Sequence, residues 1–293
     1  MQASQSGQSS SAVRVFAITN QKGGVGKTTT AINLATAFSA LGHKVLLVDM
    51  DPQGNAGTGL GLKRAAVKRS VYDVLFERCT ASEAAMRTKL PRLNIIPSSV
   101  HLAGADVELS SVIGREARLK EALAACQRDY DYIFIDCPPS LNFLTINALV
   151  AAQGIIVPLQ CEFYALEGLS QLTKTVKLVQ KHYNPALDIH GIALTMYDRR
   201  NRITKLVDQD VRGYFDGKVY KTTIPRNVRL SEAPSYGLPG IVYDMGSPGA
   251  QAYIKLAREI LGRDKKPGLR VDSSPSNQSE HNDVKSKEQT EVA

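Results

Sequence analysis

The apolar positions of this chain fall into short, nearly continuous runs, separated by longer stretches in which they recur at helical spacing. Runs near positions 13, 44, 93, 132, 154, 189 and 219 have the length and branched character of strands buried on both faces. Helical patterns start near 28, 115, 141, 168, 203 and 248. Strands alternating with helices predict an α/β fold: a doubly wound, mostly parallel sheet flanked by helices, in a single domain. In the helix over 28–41, Ile32, Leu34, Ala35 and Phe38 supply the apolar positions and Gly42 ends it. In the helix from 203, Ile203, Leu206, Val207, Val211 and Tyr214 are expected on one face against the core. Lys205 and Arg212 are then expected to point outward.

The segment joining the first strand to the first helix carries the chemistry. It reads Lys22-Gly23-Gly24-Val25-Gly26-Lys27-Thr28-Thr29. The ordinary phosphate-binding loop has a glycine five residues before its second one, where this chain has Gln21. Gly23, Gly24 and Gly26 nevertheless let backbone N–H groups approach phosphate oxygens, Lys27 places a charge against the β- and γ-phosphates, and Thr28 offers a hydroxyl to Mg²⁺. A helix N-terminus behind such a loop favours an anion. Asp49 and Asp51 follow the strand over 44–49 at the spacing that puts both on one side of an extended chain. Asp136 ends the apolar run over 132–136, the form of a Walker-B carboxylate that holds Mg²⁺ directly or through water. All three are expected at the carboxyl ends of the strands, where open α/β sheets bind ligands.

Taken together, KGGVGKTT, VDMDPQGN, FIDCPPS, LQCEFYALEGLSQL and IPRNVRLSEAPSYG resemble the ParA/Soj family of chromosome- and plasmid-partitioning ATPases, within the deviant Walker-A group that also contains MinD. The resemblance spans about residues 14–261. It implies ATP hydrolysed slowly to ADP with Mg²⁺, and an ATP-dependent homodimer in which Lys22 reaches the partner's nucleotide. By the same likeness Asp51 positions the attacking water, Asp136 is the Walker-B residue and Asp49 lies in the first switch region, a further candidate for the metal. The loop Pro225-Arg226-Asn227 would pack on adenine, with Met196 as a second candidate wall. Arg200 and Arg229 match positions that bind nonspecific double-stranded DNA in similar proteins. A centromere-binding ParB-like partner would stimulate hydrolysis, and the setting would be the bacterial cytoplasm and nucleoid. Plasmid relatives that repress their own operon carry a helix-turn-helix domain before the loop. About twenty residues precede it here, so the shorter chromosomal type is expected.

Charge sharpens the partner. The formal net charge is +8. Residues 1–12 hold no charged side chain, and over 265–293 Lys265, Lys266, Arg270, Lys285 and Lys287 are balanced by Asp272, Glu280, Asp283, Glu288 and Glu291. The excess therefore belongs to the body over 13–264. Runs such as Lys63-Arg64, Lys68-Arg69, and Arg199-Arg200 with Arg202 and Lys205 suit sequence-independent contact with DNA phosphates. Both tails are polar and are expected to be disordered. No apolar run reaches membrane-spanning length, and the lysine-rich amphipathic C-terminal helix of a MinD-like membrane ATPase, the competing reading, is missing from the sequence. Cys79, Cys126, Cys137 and Cys161 have no CxxC spacing, which argues for reduced thiols rather than a disulfide framework, zinc site or iron–sulfur centre.

Overall fold

A computed structural model of the chain describes residues 13–264; the extension expected over 1–12 and the tail expected over 265–293 lie outside the described residues. Seven strands form one sheet: β1 (Arg14–Ile18), β2 (Val45–Asp49), β3 (Met86–Arg87), β4 (Leu93–Ile96), β5 (Tyr132–Asp136), β6 (Gly154–Gln160) and β7 (Asp188–Thr195). Their spatial order is β3-β4-β2-β5-β1-β6-β7. All pairings are parallel except that of the two-residue edge strand β3 with β4. The longer helices are α1 (Lys27–Ala40), followed after the short α2 (Asn55–Gly59), α3 (Val71–Leu75), α4 (Ala81–Ala84), α5 (Ala105–Leu109) and α6 (Arg118–Ala124) by α7 (Phe143–Ala151), α8 (Ala165–His182) and α9 (Arg202–Tyr214). The short α10 (Val228–Glu232) and α11 (Gly240–Tyr243) precede α12 (Pro248–Asp264).

Successive strand residues point to opposite faces, and both faces are covered. Val15, Ala17, Leu46, Val48, Ile133 and Ile135 pack into a core with residues of α7, α8 and α9, whereas Phe16, Ile18, Val45, Leu47 and Phe134 pack with α1 and α12. This is why the strands read as continuous apolar runs. On the second face Phe38 of α1 meets Tyr132 and Phe134 edge-on, with ring centroids 4.6 and 5.1 Å apart. Those contacts fix the helix whose N-terminus carries the glycine loop.

Three expectations are corrected by the packing. Residues 219–223 form no strand: Val219 makes a single bridge to Ile192, and the N–H groups of Lys221 and Thr222 turn instead to the Glu259 carboxylate of α12, at 2.8 and 2.9 Å. A side chain thereby takes the donors that a ladder would need. In α9 the buried line is Thr204, Val207 and Val211, while Ile203, Leu206 and Tyr214 are 49%, 50% and 77% exposed. Arg212 does not point outward either. It is half-buried, donating to Asp208 Oδ1 at 2.6 Å and to the Tyr220 carbonyl at 3.1 Å.

Candidate functional site

β1 hands directly into the loop over 19–26, and α1 leaves it at Lys27. Gly24 and Gly26 have φ of 75° and 88°, the left-handed region that a side chain would strain. A Cβ on either, or on Gly23, would meet nothing within 4 Å, so the backbone is bare on its open side. Three side chains brace the loop from behind. Asn20 donates to the Pro158 carbonyl of β6 at 2.8 Å and accepts from the Lys22 N–H at 3.0 Å. Thr195, at the end of β7, donates to the Val25 carbonyl at 2.8 Å. Lys27 donates from its ammonium to the Lys22 carbonyl at 2.7 Å, which holds it under the loop. Burial pulls the Lys27 pKa below its usual value, against the attraction of Asp136, Cys137 and Asp51.

The parallel register sets the carboxylates. Asp136 lies opposite Ile18 of β1 on one side and Asp49 of β2 on the other. Both residues are fully buried, and their situations differ. Asp49, expected as a further metal candidate, turns both oxygens to the backbone: Oδ1 accepts from the Asp51 N–H at 3.2 Å, and Oδ2 from Ala56 and Gly57 at 3.1 and 3.2 Å. It anchors the loop that carries Asp51. Burial pushes its pKa up to about 7, although those three N–H groups oppose the shift. Among the described residues neither oxygen of Asp136 accepts a hydrogen bond of normal geometry. Burial, then the negative charges of Asp49 and Asp51, push its pKa well above the usual carboxylate value, outweighing nearby Thr28 and Lys27. An unpartnered buried carboxylate is costly, and a hard cation relieves that cost. Asp136, with the Thr28 hydroxyl nearby, is thus the residue here that fits Mg²⁺. Among the described residues no three His, Cys, Asp or Glu side chains form a ready cage, and magnesium shared with phosphates needs none.

Asp51 stands nearly buried beside this pair, accepting from the Gln53 N–H at 3.0 Å. Lys22 is partly exposed, and its ammonium lies 2.5 Å from Glu162 Oε1 of the same chain. Glu162 belongs to the LQCEFYALEGLSQL motif, whose spacing assigns it no role. Neither it nor the Asn20 and Thr195 braces carry a signal that spacing alone exposes, because each joins the loop to a strand or strand end distant in sequence: Pro158 for Asn20, β7 for Thr195 and the end of β6 for Glu162. On the far wall, Met196 has φ of 49° and the next residue, Tyr197, bridges Pro225. Met196 and Pro225 are thereby brought near each other beside Thr195, while Arg226 is exposed and Asn227 is half-buried, its Oδ1 unpartnered among the described residues.

The basic candidates occupy different circumstances. Arg200 is 91% exposed and forks onto both oxygens of Asp198 at 3.2 Å. Arg229 pairs with Glu232 at 3.0 Å and Asp244 at 3.5 Å. Arg199, Arg202 and Lys205 are exposed and form no ion pair among the described residues.

A strand, a glycine loop, a lysine-bearing helix N-terminus and an unsatisfied strand-end carboxylate define a P-loop nucleotide-binding protein. Comparisons with known proteins narrow the class. A family model for an AAA domain matches residues 13–189. The chain is 53% identical over 259 residues to the chromosome partitioning protein ParA of Caulobacter vibrioides, covering 88% of this chain and 97% of that one. It is 55% identical over 247 residues to the sporulation initiation inhibitor protein Soj of Bacillus subtilis, covering 84% and 98%. Among solved structures, cobyrinic acid a,c-diamide synthase from Mycobacterium smegmatis with bound ADP and magnesium shares 39% identity and a TM-score of 0.76, covering 86% of this chain and 96% of that one. The chain belongs to the ParA/Soj family of chromosome-partitioning ATPases.

Proposed function

We propose that this protein is a DNA-segregation ATPase, in which ATP with Mg²⁺ joins two copies that hold DNA without sequence preference until a ParB-like partner triggers hydrolysis. The observation that carries the nucleotide part is the bare glycine loop beside a buried Asp136 that has no hydrogen-bond partner among the described residues. Bound ADP and magnesium in the Mycobacterium smegmatis relative support the same ligands here.

In this reading the loop backbone and the α1 N-terminus bind the phosphates, and Lys27 leaves the Lys22 carbonyl to meet the β- and γ-oxygens. Asp136 and Thr28 would hold Mg²⁺, which supplies charge neutralisation on the phosphates. Asp51 orients the attacking water, and Asp49 keeps the Asp51 loop in place. Met196 and Pro225-Arg226-Asn227 border the base. Lys22 exchanges Glu162 for the nucleotide of the second copy, so hydrolysis requires association. Because a lone carboxylate positions water weakly in an open site, turnover is slow until a partner closes it. Arg200, Arg229, Arg199, Arg202 and Lys205 contact DNA phosphates. The body over 13–264 is the ATPase domain, and its place of action is the cytoplasm and nucleoid. Among the described residues no helix is long and apolar enough to cross a membrane.

The test is the ATPase rate with and without nonspecific DNA and a basic N-terminal peptide of a ParB-like partner. Stimulation that needs both is the expected result. Stimulation by anionic lipid vesicles in their place would instead mark a membrane-positioning ATPase.

A further inference from the structure

The sheet has a second charged edge. Lys44 and Arg92 immediately precede the parallel neighbours β2 and β4, whose first residues, Val45 and Leu93, are in register. Arg87 pairs with Asn94 on the antiparallel edge strand β3. With Lys89 from the connecting turn, these four cations line an open cleft of about 630 Å³ at the amino end of the sheet, opposite the nucleotide loop. All four are exposed.

Three features together suit this cleft to an anionic ligand. First, among the described residues Asp129 is the only carboxylate lining it. Neighbouring Asp131 already accepts from the Lys44 backbone N–H at 2.8 Å. Second, none of the four cations forms an ion pair among the described residues, as is also true of Arg199, Arg202 and Lys205, so no carboxylate compensates their charge. Third, the charges converge on a concavity, which focuses the field on an incoming anion. Arginine forks and lysine ammonium groups on such a surface match phosphate geometry. The cleft exposes no large apolar side chain, so it lacks the means to enter a bilayer.

We propose that this amino-edge cleft is a second contact surface for the phosphate backbone of duplex DNA, separate from the Arg200 and Arg229 surface. It rests on the DNA-segregation reading only for the identity of the polyanion. Because the cleft lies across the length of the sheet from the glycine loop, it is open to DNA in a single copy as well as in an ATP-joined pair. A protein holding DNA at both places would tether two segments, or keep a weak hold after its ATP-dependent surface lets go.

The test is fluorescence anisotropy of a labelled random-sequence duplex, at low salt, without nucleotide and with ATP. The variants are Arg87→Glu/Lys89→Glu and the milder Arg87→Gln/Lys89→Gln; Arg92 is left intact because its guanidinium bonds the Gly42 carbonyl. The expected result is a nucleotide-free affinity lowered about tenfold in the charge-reversed variant. The slope of log affinity against log salt should fall by about 0.9 for each phosphate no longer neutralised. The ATP-dependent increment should survive. An unchanged nucleotide-free affinity in both variants would overturn the inference, as would loss of binding to phosphatidylglycerol vesicles with duplex binding intact. Aggregation of the variants with normal duplex affinity would also overturn it, by reducing these cations to guards of an edge strand. If wild type shows no ATP-dependent increment while the variants lose nucleotide-free binding, the DNA-segregation reading fails and the cleft stands.

Discussion

Lys22 and Lys27 differ by five positions and by everything that matters to their chemistry. Lys27 is buried and bonded to its own loop, which holds its ammonium at the helix N-terminus where the proposed reading puts the phosphates. Removing it in Lys27→Ala should abolish ATP binding in calorimetry. Asp51→Ala should leave ATP bound but unhydrolysed, and retained turnover in that variant would reject its water-orienting role. Lys22 is held by Glu162 in a partly exposed ion pair, and such pairs contribute about 0–1 kcal/mol. Glu162→Gln should therefore release Lys22 and lower the ATP concentration needed for dimerisation, by no more than about fivefold, in sedimentation with limiting ATP. A variant that dimerised less readily would show that Glu162 serves the dimer rather than restraining it.

At the scale of elements, close strand–loop packing is what steadies the site. Gly191 in β7 faces the Tyr220 ring, and a Cβ there would lie 2.3 Å from the ring carbon Cζ. Gly191→Ala should lower stability by about 1–3 kcal/mol, read as a fall in urea midpoint, because a ring packed in the core cannot yield. A neutral substitution would mean that the 218–224 segment shifts freely. Six of the seven strands and the six longest helical patterns were legible in the sequence, since apolar runs and amphipathic spacing encode them directly. The glycine loop and Asp136 were legible because strand, turn and helix follow one another along the chain. Other parts depended on partners far away in sequence. Residues 219–223 look like a strand until Glu259 claims their N–H groups, and the α9 face is set by Asp208 bonding Tyr197 and Arg212 rather than by its own periodicity. Likewise the Asn20 and Thr195 braces, and the Lys22–Glu162 pair, arise from sheet register alone.

For the whole molecule, the buried carboxylates make stability depend on proton and ligand. The folded pKa of Asp49, about 7, lies above its unfolded value, and that of Asp136 is raised as well. The folded chain therefore binds protons more tightly, and these two groups favour folding at low pH and oppose it increasingly as pH rises from about 4. The contribution of Asp49 is lost by the time pH passes about 7. Without nucleotide or Mg²⁺, the urea midpoint of Asp136→Asn should gain on that of wild type as pH is raised from about 5.5 to 8. A difference that shrank over that range would contradict the unsatisfied-carboxylate assignment. The variant should also lose Mg²⁺-dependent hydrolysis, the loss expected where a residue that costs stability is kept for the chemistry proposed for it.

One coupling joins these scales: association driven by ATP at the carboxyl edge should govern how tightly basic surfaces hold DNA. Duplex affinity measured with ATP, with ADP and without nucleotide tests it most directly. Affinity about 5- to 150-fold higher with ATP, abolished by Lys22→Ala, is the expected result, the range typical of coupled sites. Equal affinity in all three states would contradict it.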